Sequence, residues 1–262
     1  MTRPQPIPLQ QIPGTLWVAS DVHLQADTPQ TLDAFTAFLG AAAEHADALI
    51  LLGDLFDAWV GDDALQAAPA WLQQFVGALA DTGSRIPVWL GHGNRDFLMG
   101  EGLAAAGRLH LLPERVRVHT DCGVILFTHG DELCTDDVEY QKLRALMRNP
   151  AWQSSMLARP LPERLKLAAE LRMQSEHGKA TKSYEIMDVN QAAVEQLMLA
   201  AGVTRLVHGH THRPQRHAFM LDGKPAERWV LPDWDFDHPP VRGGWISIDR
   251  DGIALNDWSP AP

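Results

Sequence analysis

The stretch Leu16–His23 reads LWVASDVH, a short run of apolar and small residues ending on a carboxylate and an imidazole two positions apart. Such a run reads as a buried strand. If extended geometry continues past its end, Asp21 and His23 point to the same side, where they can share a metal ion. A lone D-x-H pair is common by chance, so its weight depends on what the rest of the chain repeats.

The pattern recurs outward from there. Ala48–Leu52 (ALILL) precedes Gly53 and Asp54, and Pro87–Leu90 (PVWL) precedes GHGNRD. Val124–Phe127 (VILF) precedes THGD, and Arg205–Val207 (RLV) precedes HGHTH. Thr31–Glu44 and Ala67–Ala80, lying between such runs, have helical apolar spacing. Strands alternating with helices predict an α/β layered domain. In open sheets of this kind, functional groups gather beyond the carboxyl ends of strands, and each candidate ligand here follows a strand.

The residue types fit a pair of ions. Asp54 can bridge two cations through its two oxygens, with Gly53 letting backbone come close; Asp57 is expected to orient a ligand histidine. Asn94 offers a hard, neutral oxygen beside the fixed charge of Arg95. His129 ends the fourth run, and His210 and His212 form an x-H-x-H pair; His208 faces the other way if strand alternation holds and is left out. Singly, each has a bland reading: a helix cap at Asp54, a structural turn at Asn94–Arg95, a surface histidine at 129. Their common order and placement make a set. Nitrogen and oxygen ligands without sulfur suit manganese, iron or zinc, and two divalent ions, manganese above all, are expected. Roughly 3.5–4 Å apart, two such ions clamp a phosphoryl oxygen and lower the pKa of a bridging water toward 7.

Composition narrows the rest. A net charge of −11 argues against a general nucleic-acid binder, and nothing points to an obligate protein partner. Cys122 and Cys134 form no CxxC pair and are expected to be reduced thiols in a cytosolic protein. The start, MTRPQPIPLQQIPGT, has no apolar run like a signal peptide, and no window offers eighteen uninterrupted apolar residues. A cytoplasmic protein is expected, with any membrane contact peripheral. Tyr140–Lys182 reads as two or three helices broken by Pro150, Pro160 and Pro162 and inserted between two core strands as a cap. Residues 142–182 carry nine Lys or Arg against three Asp or Glu, interleaved with Leu143, Leu146, Met147, Trp152, Met156, Leu157, Leu161, Leu165, Leu167, Leu171 and Met173. Helices of this kind suit a two-tailed acyl substrate and an anionic membrane surface; some of these residues must also pack the cap onto the core.

The order D-x-H, G-D-x-x-D, G-N-R-D, H, G-H-x-H resembles the calcineurin-like metallophosphoesterase superfamily. GDLFDAWVGDD (Gly53–Asp63), HGNRDFLMG (His92–Gly100), HGDELCTDD (His129–Asp137), IMDVNQ (Ile186–Gln191) and HGHTHRP (His208–Pro214) are similar to its branch acting on UDP-2,3-diacylglucosamine in lipid A biosynthesis. The resemblance runs from about Leu16 to Pro214. It implies a layered β-sandwich core flanked by helices, spanning 16–262, with a helical cap inserted at about 138–185 and an N-terminal extension over 1–15. It implies one ion on Asp21, His23, Asp54 and His212 and another on Asp54, Asn94, His129 and His210. Catalytic roles would fall on Asp54, Asn94, Arg95 and His129, and substrate contacts on Asn94, Arg95, Asp137, Ser175, Lys179, Lys182 and His210. The implied reaction releases UMP and 2,3-diacylglucosamine 1-phosphate by attack of a metal-bridged hydroxide on the α-phosphorus, at the cytoplasmic face of the inner membrane. Many members of the superfamily carry histidine after the Asn, where this chain has Arg95. A guanidinium holds a phosphate oxygen but donates no proton near neutral pH, which favours a phosphate leaving group. A soluble-nucleotide diphosphatase is the rival enzyme reading, and a metal-free docking protein the non-catalytic one. The match weakens past Pro214, and neither residues 1–15 nor Pro232–Gly244 receive a role.

Overall fold

The computed structural model describes residues 7–179 and 188–259, with the side chains of 174–179 outside the described set. The chain runs β1 (Leu9–Gln11), β2 (Leu16–Ala19), α1 (Pro29–His45), β3 (Ala48–Leu51), α2 (Ala70–Gly83), β4 (Val88–Leu90), α3 (Glu101–Gly107), β5 (His110–Leu111), β6 (Arg115–Thr120) and β7 (Gly123–Thr128). Then come α4 (Val138–Met147), α5 (Pro150–Leu157), α6 (Leu161–Lys179), α7 (Gln191–Ala201), β8 (Arg205–His208), β9 (Gln215–Leu221), β10 (Lys224–Val230), β11 (Gly244–Asp249) and β12 (Gly252–Asp257).

The strands form two six-stranded sheets, ordered β1-β6-β7-β8-β10-β9 and β12-β11-β2-β3-β4-β5. Alternation along β2 shows how the layers are specified. Leu16 and Val18 join Ile50, Val118, Phe127 and Val207 in the core between the sheets. Trp17 and Ala19 face outward with Leu49 and Leu51 onto Phe35 and Phe38 of α1 and Phe75 of α2. The outer face of the other sheet packs Leu126 and Leu206 against Val194 and Met198 of α7. A one-residue slip would exchange the two faces, and each fully buried Leu, Val, Ile or Phe contributes about 1.5–3 kcal/mol over leaving it exposed. The result is the expected α/β sandwich flanked by helices. β2, β3 and β4 run parallel, as do β7 and β8, and the candidate ligands follow the ends of these five strands.

Two local readings shift. The helix expected from Ala67 begins at Ala70, because Pro69 holds Ala68 in extended backbone (ψ 129°). The segment before Leu16, given no role, supplies β1, which adds to the edge of one sheet parallel to β6. Helices α4, α5 and α6 lie between β7 and α7, ahead of β8. Asp137 caps α4 by accepting the Tyr140 N–H, and Asn149 caps α5 ahead of Pro150. Arg164 of α6, 2% exposed, binds Asp63 and the Val60 carbonyl, tying the inserted helices to the loop after β3.

Candidate metal centre

Loops after β2 and β8 build one cluster. Asp21, His23 and His212 bring ligand atoms within 4.8 Å of one another. His212 Nε2 lies 3.2 Å from His23 Nε2 and 3.4 Å from Asp21 Oδ1. Loops after β3, β4, β7 and β8 build the second, in which Asp54, His129 and His210 meet within the same 4.8 Å limit. Asn94 Oδ1 is 3.1 Å from His129 Nε2, which is 3.6 Å from Asp54 Oδ2. That same Asp54 oxygen is 4.0 Å from His23 Nδ1, so it stands between the clusters.

Extended alternation does not pair these ligands. β2 ends at Ala19, and Asp21, His23, Asp54, His210 and His212 all have φ between 52° and 66°. Side chains two apart converge because each backbone is left-handed, a conformation costing about 1–3 kcal/mol per non-glycine residue and concentrated at functional sites. Neighbouring contacts hold them there. The backbone N–H groups of Asp54, Leu55 and Gly93 all donate to buried Asp96, and that of Arg95 donates to Asp54 Oδ1 at 2.8 Å. The His210 N–H donates to Asp21 at 2.9 Å. Three glycines here are sterically required: a Cβ at Gly53 would strike the Gly93 backbone, one at Gly93 would strike Asp54, and one at Gly209 would strike Asp21.

The electrostatics call for cations. Burial, with Asp96 and Asp21 nearby, outweighs the opposing charges of His129 and Arg95 and raises the Asp54 pKa to about 6. Burial would also raise Asp21, but the hydrogen bond and charge of His212, with His129 and His23, hold it well below the usual carboxylate range. His210 is pushed down to about 3 by burial and the charge of His129. The buried His23 Nδ1 has no hydrogen-bond partner. Carboxylates among imidazoles, with an orphaned ring nitrogen 4.0 Å from the Asp54 oxygen that stands between the clusters, fit a pair of divalent ions.

The other expected residues fall into place as follows. Arg95 Nη1 reaches Asp57 at 3.2 Å, and Arg172 of α6 pairs with the same carboxylate, so Asp57 holds arginines and not a ligand histidine as expected. His208 is buried outside both clusters, its Nε2 3.0 Å from Arg228. Asp137 is half-buried at the start of α4. Lys182 and the side chains of Ser175 and Lys179 lie outside the described residues. Asp96, the last residue of the G-N-R-D motif, received no role in the sequence yet lies under the loops. Three further contacts carried no sequence signal: the Leu52 carbonyl 3.0 Å from His129 Nδ1, Asp233 3.3 Å from His212 Nδ1, and the Tyr140 ring stacked 6.0 Å from His210.

A cleft opens from this centre beneath α4–α6, enclosing about 810 Å³ with its mouth included. Phe97, Leu143, Met147, Trp152, Met156 and Leu167 line it, while Asn94, Arg95 and Arg172 stand among its polar groups.

Residues 14–214 match the calcineurin-like phosphoesterase family. The UDP-2,3-diacylglucosamine hydrolase of Bordetella pertussis is 56% identical over 93% of the chain and 95% of that protein. The enzymes of the same name from Aromatoleum aromaticum and Chromohalobacter salexigens are 47% and 44% identical, over 85% and 90% of the chain and 90% and 94% of theirs.

Proposed function

The chain belongs to the calcineurin-like phosphoesterase family, and from that premise we propose that it hydrolyses UDP-2,3-diacylglucosamine to UMP and 2,3-diacylglucosamine 1-phosphate. One observation carries the reading beyond its relatives' names: Asn94 and Arg95 belong both to the polar centre and to the apolar cleft beneath α4–α6. A substrate with a diphosphate at one end and two acyl chains at the other fits that junction.

Asp21, His23, Asp54 and His212 would hold one ion and Asp54, Asn94, His129 and His210 the other, manganese being the proposed metal. When bound, the ions supply Lewis acidity to the phosphoryl oxygens and a water acidic enough to attack near neutral pH. The protein's own groups do the rest. Arg95, steadied by Asp57, holds a diphosphate oxygen and balances charge as it grows during in-line displacement. Asp137, Ser175, Lys179, Lys182 and His210 make the remaining substrate contacts. Attack at the α-phosphorus breaks its bond to the bridging oxygen. The departing sugar 1-phosphate is a weakly basic leaving group, so no side chain need protonate it. The apolar cleft takes the acyl chains and excludes water from them.

We read residues 16–262 as one catalytic domain with a cap over about 138–185, preceded by the extension 1–15. Exposed Leu146, Leu157, Leu165 and Met173 on the cap support peripheral docking on the cytoplasmic face of the inner membrane. The test is turnover with Mn²⁺ in ¹⁸O-water on the acylated UDP-sugar beside a soluble dinucleotide. The reading expects UMP carrying the label from the former and little turnover of the latter. Label in the lipid phosphate would refute α-attack, and preference for the dinucleotide would refute the substrate.

A further inference from the structure

Of the candidate ligand side chains, His212 is the most open, 34% exposed against 19% for His23 and 2% for His129. Packing alone therefore confines its ring less than theirs. What grips it lies in the segment 232–244. Asp233, 5% exposed, places Oδ2 3.3 Å from His212 Nδ1. A carboxylate there fixes the proton on Nδ1 and leaves Nε2 as the free donor atom, facing Asp21 and His23. Arg242 in turn fixes Asp233, donating to Oδ2 from Nε at 2.8 Å and from Nη2 at 2.7 Å. Arg242 is itself set by reciprocal backbone hydrogen bonds with Asp235, at 2.8 and 2.9 Å.

The next residue reaches the same cluster. The Trp234 N–H donates to the Asp21 carbonyl at 3.0 Å, at a residue whose φ is +57°. The segment is anchored beyond the site as well, for Asp237 accepts the N–H groups of Gln30 and Thr31 at the start of α1. Consecutive residues thus hold two of the three members of one cluster. His129, in the other cluster, is held instead by the Leu52 carbonyl.

We propose that Asp233, braced by Arg242, is the positioning residue for His212, and that the 232–244 segment sets the affinity of one metal site and not of the other. The proposal rests on the two-metal reading above. Its consequence is an asymmetric centre: the ion on Asp21, His23 and His212 depends on a carboxylate–histidine relay that the ion on Asp54, Asn94, His129 and His210 does not share.

Mn²⁺ binding to the metal-free full chain tests this, by competition with a chelator and by electron paramagnetic resonance, in wild type, Asp233→Asn and Arg242→Gln. The expectation is two ions in wild type, one of them weakened about 10–100-fold in Asp233→Asn and the other changed less than about threefold. Stoichiometric Mn²⁺ should then give a mononuclear six-line spectrum in place of a coupled one. Arg242→Gln should weaken the same ion by less, and excess Mn²⁺ should restore kcat in both. Unchanged affinity in Asp233→Asn, or equal weakening of both ions, overturns the proposal. Thermal unfolding of each metal-free variant checks folding; if Asp233→Asn does not fold, wild-type affinity in a folded Arg242→Gln is the overturning result. Fewer than two ions in wild type would instead sink the two-metal reading itself.

Discussion

Asp54 faces both clusters through one oxygen, 3.6 Å from His129 Nε2 and 4.0 Å from His23 Nδ1, while its other oxygen takes the Arg95 N–H. Replacing it with alanine removes a shared ligand, so Asp54→Ala, like His129→Ala, should cut turnover at least about 10³-fold, roughly 4 kcal/mol of barrier. A far-ultraviolet circular dichroism spectrum should stay native. Retention of more than a tenth of the activity in either variant would refute a bridged centre. These ligands were legible because the chemistry restricts residue type: only a few side chains offer oxygen or imidazole nitrogen, and each sat after a strand. Their left-handed backbone was not legible, since positive φ at aspartate or histidine depends on contacts made by Asp96 and Gly93, distant in sequence. Asp57 was misread for the same reason, its partner Arg172 lying on a helix far along the chain. Cys134 gives a test of burial at this scale. Burial, reinforced by Asp131 and Asp188, raises its pKa to about 12 from an ordinary 9.0. A raised pKa keeps the thiol neutral up to the folded value, so the thiolate fraction at pH 8 is on the order of 10⁻⁴. By linkage, unfolding releases this proton above about pH 9.0, so the contribution to stability falls from there toward about 12. Alkylation at pH 8 should leave Cys134 unmodified in the native protein and label it after denaturation; native labelling would contradict that burial.

The elements divide by how locally they are specified. β2, β3, β4, β7 and β8 are runs of aliphatic residues bounded by polar groups, and their period and punctuation suffice to find them. β1 is not recoverable that way: its sequence LQQ is exposed throughout and becomes a strand through pairing with β6. The cap helices were visible from apolar spacing, but which apolar residues face the substrate was not, because that depends on how α4, α5 and α6 pack on one another. The structure sorts them. Leu143, Met147, Trp152, Met156, Leu167 and Leu171 line the cleft, whereas Leu146, Leu157, Leu165 and Met173 are exposed. Acyl binding is therefore tested at the first group. Leu143→Ala and Leu167→Ala each remove about 1.5–3 kcal/mol of apolar contact if an acyl chain covers the site. Each should lower kcat/KM for the acylated substrate about tenfold or more, and change a UDP-sugar without acyl chains less than about twofold. Equal losses on both substrates would mean that these residues pack the cap and do not contact lipid.

The molecule as a whole carries −11, yet residues 142–182 hold nine Lys or Arg against three Asp or Glu. This local surplus coincides in sequence with four of the exposed large apolar side chains, Leu146, Leu157, Leu165 and Met173. Among the described residues no helix is long and apolar enough to cross a membrane, and the docking proposed above is a surface one. If the proposed docking holds, the charge asymmetry orients it: the acidic remainder is repelled by anionic headgroups while exposed Lys142, Arg159 and Lys166 are attracted, turning the cap and its cleft toward the bilayer. Each basic residue near such a surface contributes about 1 kcal/mol at physiological salt, and the attraction decays within a Debye length of about 8 Å. Sedimentation with vesicles containing anionic lipid should therefore carry the protein down at low salt and release much of it near 1 M salt. Neutral vesicles should bind several-fold less. Leu157→Ser with Met173→Ser, neither lining the cleft, should lower vesicle binding while sparing hydrolysis of substrate dispersed in detergent. If instead the double variant sediments like wild type, the exposed cap residues serve another purpose and the enzyme draws its substrate from the membrane without docking there through them.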